Sequence, residues 1–168
     1  MAKKPLQRKP PSGAPEGTVW FGGPVDRFKI TLRVAGDKLD PEQITSILKC
    51  PPTRSHIKGS RSFTTPRGNI SVPKKSQWAL SIYSDDYENG EIELEDGLKI
   101  LLGKLPSDAK LWRSLTTKYD VDVFCGLFLE TSNRGFGLSA RALKMLSHRS
   151  LEIGFDVYFE LKRRALSE

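Results

Sequence analysis

Three stretches of the chain alternate apolar and polar residues strictly, and this period of two constrains the fold more than any other feature of the sequence. In residues 28–34, Phe28, Ile30, Leu32 and Val34 fall on one face of a strand. In residues 119–130 the same face collects Val121, Val123, Cys125, Leu127 and Leu129, and in residues 151–161 it collects Leu151, Ile153, Phe155, Val157, Phe159 and Leu161. The first stretch ends at Gly36-Asp37 and leads into a helix. Asp40 is its N-cap, Pro41 suits its first position, Gln43 completes a capping box, and Leu39 with Ile44 forms a hydrophobic staple. Ile44, Ile47 and Leu48 make the buried stripe, and Pro51-Pro52 stops the helix. Between the last two strands, residues 138–146 predict a second capped helix with Ser139 as N-cap and a Leu138/Leu143 staple. At an offset of 99 residues, Leu39, Asp40, Ile44 and Ile47 coincide with Leu138, Ser139, Leu143 and Leu146. We read this as a diverged strand–helix–strand duplication.

The remaining segments fill in that plan. Residues 78–83 resume a strand pattern, and residues 53–59 offer a short one. Residues 60–76, rich in Ser, Thr, Pro, Gly and Lys, read as a long basic hairpin loop. The acids around Glu93, Glu95 and Asp96 open a helix carrying Leu94, Leu98, Leu101, Leu102 and Leu105, as the positive end of a helix dipole favours. Leu111, Trp112 and Leu115 mark a further short helix. The expected fold class is α+β: a four- or five-stranded, mainly antiparallel sheet with helices on one face, resembling a duplicated strand–helix–strand (ferredoxin-like) sandwich. Residues 25–161 form this single domain. Residues 1–24, with five prolines and four glycines, predict a mobile basic tail from which only Val19, Trp20 and Phe21 would dock, and residues 162–168 predict a second basic tail.

Composition excludes several classes. Hydrophobic residues are 38% and charged residues 28%, and no apolar run reaches the roughly 20 residues of a membrane helix. No apolar segment follows the basic residues at the start, and two cysteines cannot make a disulfide framework, so a cytoplasmic protein without a membrane partner is expected. The net charge of +7 is uneven. Residues 49–77 carry Lys49, Arg54, Lys58, Arg61, Arg67, Lys74 and Lys75 with no acid, whereas residues 84–97 carry seven acids with no base. These neighbouring blocks are expected to neutralise each other.

Catalytic patterns are missing. Cys50, Cys125, His56 and His148 have no metal-ligand spacing, and no cofactor is implied. Cys125 reads as a small core hydrophobe, and His148 as a group satisfying carbonyls at a helix end. Asn133-Arg134-Gly135-Phe136-Gly137 is explained as a strand-to-helix turn needing positive φ. There is no nucleophile elbow and no phosphate loop. Asp122 and Asp156 are the carboxylates that an acid–base enzyme would use. Asp122, Phe124 and Phe128 point away from the core if Val123 and Cys125 point into it, and Asp156 and Tyr158 do the same on the last strand. Aromatic residues on a nominal solvent face mark a partner, a second copy of the chain, or a covering segment such as Val19-Trp20-Phe21. The leading expectation is therefore a non-enzymatic protein-binding module that uses Asp122, Phe124, Phe128, Asp156 and Tyr158. The alternative is a nucleic-acid-associated accessory protein that uses Arg54, Lys58, Arg61, Arg67, Lys74 and Lys75 with the basic tails.

A family resemblance accompanies these readings. Leu32-Arg33-Val34-Ala35-Gly36-Asp37, Leu39-Asp40-Pro41-Glu42-Gln43-Ile44, Cys50-Pro51-Pro52-Thr53, Lys58-Gly59, Trp78 and Leu94-Glu95-Asp96-Gly97-Leu98 occur in that order. They are joined by Tyr119-Asp120-Val121-Asp122-Val123-Phe124-Cys125-Gly126 and Leu151-Glu152-Ile153-Gly154-Phe155-Asp156-Val157-Tyr158. Together they resemble the bacterial domain-of-unknown-function 4279 family. The resemblance implies a small cytoplasmic domain with no assigned activity, associated with immunity-like proteins of toxin systems. Residues 60–76 and the basic amino-terminal tail stand as additions to the family core.

Overall fold

Strand β1, Arg27–Gly36, is the middle of a five-stranded sheet and is hydrogen-bonded along both edges. The computed structural model describes residues 23–60, 63–64, 70–87, 92–130 and 133–159. After β1 come α1 (Pro41–Leu48), β2 (Arg54–His56), a small hairpin of β3 (Phe63–Thr64) and β4 (Ile70–Ser71), and β5 (Ser76–Tyr83). Then follow α2 (Leu94–Gly103), α3 (Ala109–Lys118), β6 (Asp120–Leu129), α4 (Ala140–His148) and β7 (Glu152–Phe159). The main sheet runs β2-β5-β1-β6-β7, and every neighbouring pair is antiparallel except β6 and β7. Residues 1–22, with Val19, Trp20 and Phe21, and residues 162–168 of the expected tails lie outside the described residues, as do Leu161, Arg61 and Arg67. Gly23 and Pro24, expected in the mobile tail, are held against Gly135, whose N–H donates to the Gly23 carbonyl at 2.9 Å.

The topology interlocks two split units. β5 lies between β1 and β2, and β1 lies between β5 and β6. The units β1–α1–β2 and β5–α2–α3–β6 therefore give the order β2-β5-β1-β6 of a ferredoxin-like sandwich. α4 and β7 extend it with an adjacent parallel strand. The 99-residue offset aligned α1 with α4, but α4 belongs to this extension, and the counterpart of the first unit is the one built on α2 and α3. The 60–76 segment holds the β3–β4 pair in place of an unpaired loop.

One side of the sheet is packed. Phe28, Ile30, Leu32 and Val34 of β1, Trp78, Leu80 and Ile82 of β5, and Val123, Cys125 and Leu127 of β6 are buried against Ile44 and Leu48 of α1, Leu98, Leu101 and Leu102 of α2, Trp112 and Leu115 of α3, and Leu146 of α4. Gly97 lets α2 lie close on β1: a Cβ there would stand 2.7 Å from the buried Phe28 ring. Asp40, Asp108 and Ser139 cap α1, α3 and α4 with their side chains.

Two core expectations are overturned. Phe155 and Val157 share the packed face of β7 with Ile153, but they are 37% and 61% exposed, because the helix layer does not extend over the far half of this edge strand. On α4 the side facing the core is formed by Ala142 and Leu146, with Met145 beside them, and Leu143 is 49% exposed.

Polar links tie the helices together. The buried Arg149 guanidinium donates to the carbonyls of Met145 in α4 (3.1 Å) and Leu102 in α2 (3.3 Å), and burial pushes its pKa down. Glu95 in α2 accepts hydrogen bonds from the Ser139 backbone N–H and from its hydroxyl (2.9 Å) at the start of α4, and pairs with Lys99 at 2.7 Å. The Lys99 ammonium first, then the Ser139 donors, lower the Glu95 pKa from 4.5 to about 2. A carboxylate whose pKa is depressed on folding adds stability above its unfolded pKa and loses it as pH falls to the folded one. Glu95→Gln is thus expected to melt below the parent protein at neutral pH, with the gap closing as pH falls from 4.5 towards 2. A gap that stayed constant over that range in thermal melts would show that the charge plays no part.

Candidate interaction face

Among the described residues, the other side of the sheet carries no helix. Because side chains alternate, the register alone sets its contents. Lys29, Thr31 and Arg33 of β1 stand level with Tyr83, Ser81 and Ala79 of β5 and with Gly126, Phe124 and Asp122 of β6. β7 adds Glu152, Gly154, Asp156 and Tyr158 beside Asp122, Phe124, Gly126 and Phe128, and β2 adds Arg54 and His56. The register brings Asp122, Phe124, Phe128, Asp156 and Tyr158 together on this open face. It also places Lys29, Arg33 and Tyr83 there, which the sequence reading did not single out although the same alternation contains them.

Cations sit on the aromatic rings. Arg33 lies 4.6 Å from the Phe124 centroid, Lys29 4.9 Å from Tyr83, and Arg27 5.5 Å from Phe128. Phe128 and Tyr158 stack at 5.1 Å. Arg33 grips Asp122 with two hydrogen bonds, one of 2.8 Å from Nε, and this partner raises the arginine pKa. The Tyr158 hydroxyl donates to Asp156 at 2.9 Å, and that bond raises the phenol pKa. Near the middle of the face Thr31 and Ser81 are buried and joined hydroxyl to hydroxyl at 3.0 Å. The acids Asp120, Asp122, Glu152 and Asp156 occupy β6 and β7, Arg27, Lys29 and Arg33 the central β1, and Arg54 the far edge strand β2.

Asp122 and Asp156 do not form a catalytic pair. Asp122 is level with Glu152 and Asp156 with Gly126, four residues further along, or about 13 Å. Asp122 is also committed to Arg33.

Two lysines of the basic segment pair outside the acidic block. Lys58 pairs with Asp37 at 2.9 Å and lowers that carboxylate's pKa, and Lys75 pairs with Asp120 at 2.6 Å, which raises the lysine pKa. The acidic block finds other partners: Asp85 meets Arg27 at 3.9 Å, and Glu95 and Asp96 meet Lys99. Lys74 is exposed, and Arg54 stands on the open face of the edge strand β2.

The remaining expected groups are structural. Burial pushes the Cys125 thiol up to about 12, which leaves it inert, and both cysteines are free. His148 Nε2 meets the Ser107 carbonyl at 3.0 Å, in the turn before α3, and not a carbonyl of its own helix. His56 is part-buried, its Nδ1 has no partner among the described residues, and burial lowers its pKa. No three His, Cys, Asp or Glu side chains gather as a metal site among the described residues, and none of the described helices is long and apolar enough to cross a membrane. In the turn before α4 the positive φ belongs to Asn133 and not to its glycines. Asp26 holds that turn by accepting from the Glu130 backbone N–H and from Arg134.

An open-faced α+β sandwich with an added parallel edge strand is thus the class of protein defined here. The chain belongs to the family described as "Domain of unknown function (DUF4279)", whose family model matches residues 26–160. No curated protein and no solved structure matches it.

Proposed function

We propose that the protein is a non-enzymatic protein-binding module that docks a partner protein on the open sheet face. The observation that carries this reading is the set of cation-seated aromatic rings on a face that no described helix covers: Arg33 on Phe124, Lys29 on Tyr83 and Arg27 on Phe128. Rings and guanidinium groups of this kind dominate protein interfaces. The acids of the face lie on β6 and β7, so its partner presents bases to Glu152 and Asp156 beside an apolar centre. The cations already occupy ring faces that would stack bases, and Lys58 and Lys75 already hold carboxylates, which counts against a nucleic acid. Both cysteines are free, in keeping with action in a reducing cytoplasm. An immunity-type role would be one case of this reading, with a toxin domain as the partner.

Phe128→Ser combined with Tyr158→Ser is expected to keep the domain folded, losing about 1–2 kcal/mol of burial and stacking, and to abolish partner binding. The check is photo-crosslinking from position 83 on the open face and from position 143 on the exposed side of α4, after nuclease treatment and at low and high salt. Crosslinks from position 83 alone, persisting at high salt, support the reading. Crosslinks from position 143 alone would overturn it, and nuclease-sensitive capture that collapses with salt would favour the phosphate-binding alternative through Arg54, Lys58, Lys74 and Lys75.

A further inference from the structure

α3 has an outer surface that the reading of the open face leaves unused. Its buried side, with Trp112 and Leu115, is turned to the packed face of the sheet. Its outer side carries Lys110, Arg113, Ser114, Thr117 and Lys118, all exposed. Their helical spacing sets them in one stripe, and they line a shallow groove along it. Folding gives no reason for three cations in this place. α2, in the same layer, pairs its Lys99 with Glu95 and Asp96. On α3, among the described residues, no acid pairs with Lys110, Arg113 or Lys118. Asp108 caps the helix by accepting from the Lys110 backbone N–H at 2.8 Å, and Asp120 beyond its end is held by Lys75. Lys110 stands in the first turn, where the helix dipole disfavours a cation, and like charges gathered on one helix face repel.

We infer that this stripe binds the phosphate backbone of a nucleic-acid duplex. The make-up of the stripe selects the partner. A protein interface is built on an apolar or aromatic centre, and a helix lying on a membrane inserts apolar side chains; the five residues supply neither. A single strand is held by rings that stack its bases, and the ring at hand, Tyr119, is buried beneath Lys118 at 5.0 Å. A duplex backbone needs only cations and hydrogen-bond donors. The Thr117 hydroxyl is turned back to the Arg113 carbonyl at 2.8 Å, which leaves the Ser114 hydroxyl as the donor between the cations. Lys110 and Lys118 lie about 12 Å apart along the helix axis, a span that covers several duplex phosphates. The stripe faces away from the sheet, so it stands apart from protein docking on the open face. It also uses none of Arg54, Lys58, Lys74 and Lys75.

The test is fluorescence anisotropy of a labelled mixed-sequence DNA duplex with the full chain, from about 50 to 200 mM salt. Each phosphate contact adds about 0.9 to the slope of log K against log salt. Lys110→Ala with Arg113→Ala is therefore expected to weaken binding about 10-fold at the lowest salt and to cut the slope by about 1.8. Arg141→Ala with Lys144→Ala removes the same charge from the exposed side of α4 and should leave the slope unchanged. Lys110→Arg with Lys118→Arg should bind as the parent does, and circular dichroism should show every variant folded. Absence of duplex binding at the lowest salt, a slope that the α3 pair leaves unchanged, or equal cuts from the α3 and α4 pairs would overturn the inference. Equally tight binding of polyglutamate or of phosphatidylserine vesicles would also overturn it, and would assign the stripe to an acidic protein or a membrane surface.

Discussion

Val123→Asp is expected to leave no folded protein at room temperature. Val123 is fully buried at the centre of the packed face, level with Leu32 on one side and Ile153 on the other. An unpaired carboxylate there costs several kcal/mol, comparable with the roughly 5–15 kcal/mol by which a domain is stable. Phe155→Asp, two residues along the same face of the neighbouring strand, is expected to fold with little loss of stability. Its side chain reaches solvent and gives up little beyond the Phe136 contact. Near-ultraviolet circular dichroism and the urea midpoint separate the two outcomes. A folded Val123→Asp protein would contradict the position of the core, and an unfolded Phe155→Asp monomer would show that the far half of β7 is covered.

Trp112→Ala carries the second large effect. The ring is fully buried between α3 and the sheet, its Nε1 donates to the Pro106 carbonyl at 2.7 Å, and the Arg149 guanidinium lies 5.9 Å from its centroid. Truncation removes the ring, strands that carbonyl and opens a cavity beside a buried cation. The expected cost is about 3–5 kcal/mol, read as a lower urea midpoint with an unchanged slope. Trp112→Phe should cost far less, about 1–2 kcal/mol, because most of the burial survives and a single hydrogen bond is lost. Equal losses for the two substitutions would show that the Pro106 bond, and not ring volume, holds this corner.

The contrast between Val123 and Phe155 shows what an alternating pattern can reveal. Period two assigns each residue to a face, and the structure places all five open-face residues, Asp122, Phe124, Phe128, Asp156 and Tyr158, where that rule puts them. The rule is silent on whether anything covers a face, so Phe155 and Val157 read as core and are exposed. Caps are legible for a different reason. Asp40 and Ser139 act on N–H groups two or three residues away, and such short-range chemistry is written locally. The ion pairs were not legible. Lys58 with Asp37 and Lys75 with Asp120 join segments 21 and 45 residues apart, and charge blocks counted along the chain do not say which acids the fold will bring near. The added α4–β7 unit was hidden likewise, because which helix and strand extend the sandwich depends on long-range pairing and not on any one segment.

The central place of β1 sets the timetable of synthesis. This strand leaves the ribosome early, yet its two partners come much later: Arg33 is levelled with Ala79 and gripped by Asp122, the latter 89 residues further on. At roughly 5–20 residues per second, β1 waits several seconds or more, with the edge that β6 will take still bare even after β5 has been made. Contacts this distant in sequence make for slow folding. During that interval the nascent chain is at its most vulnerable to capture by another strand, and a chaperone that shields residues 27–36 would act at the step where yield is decided.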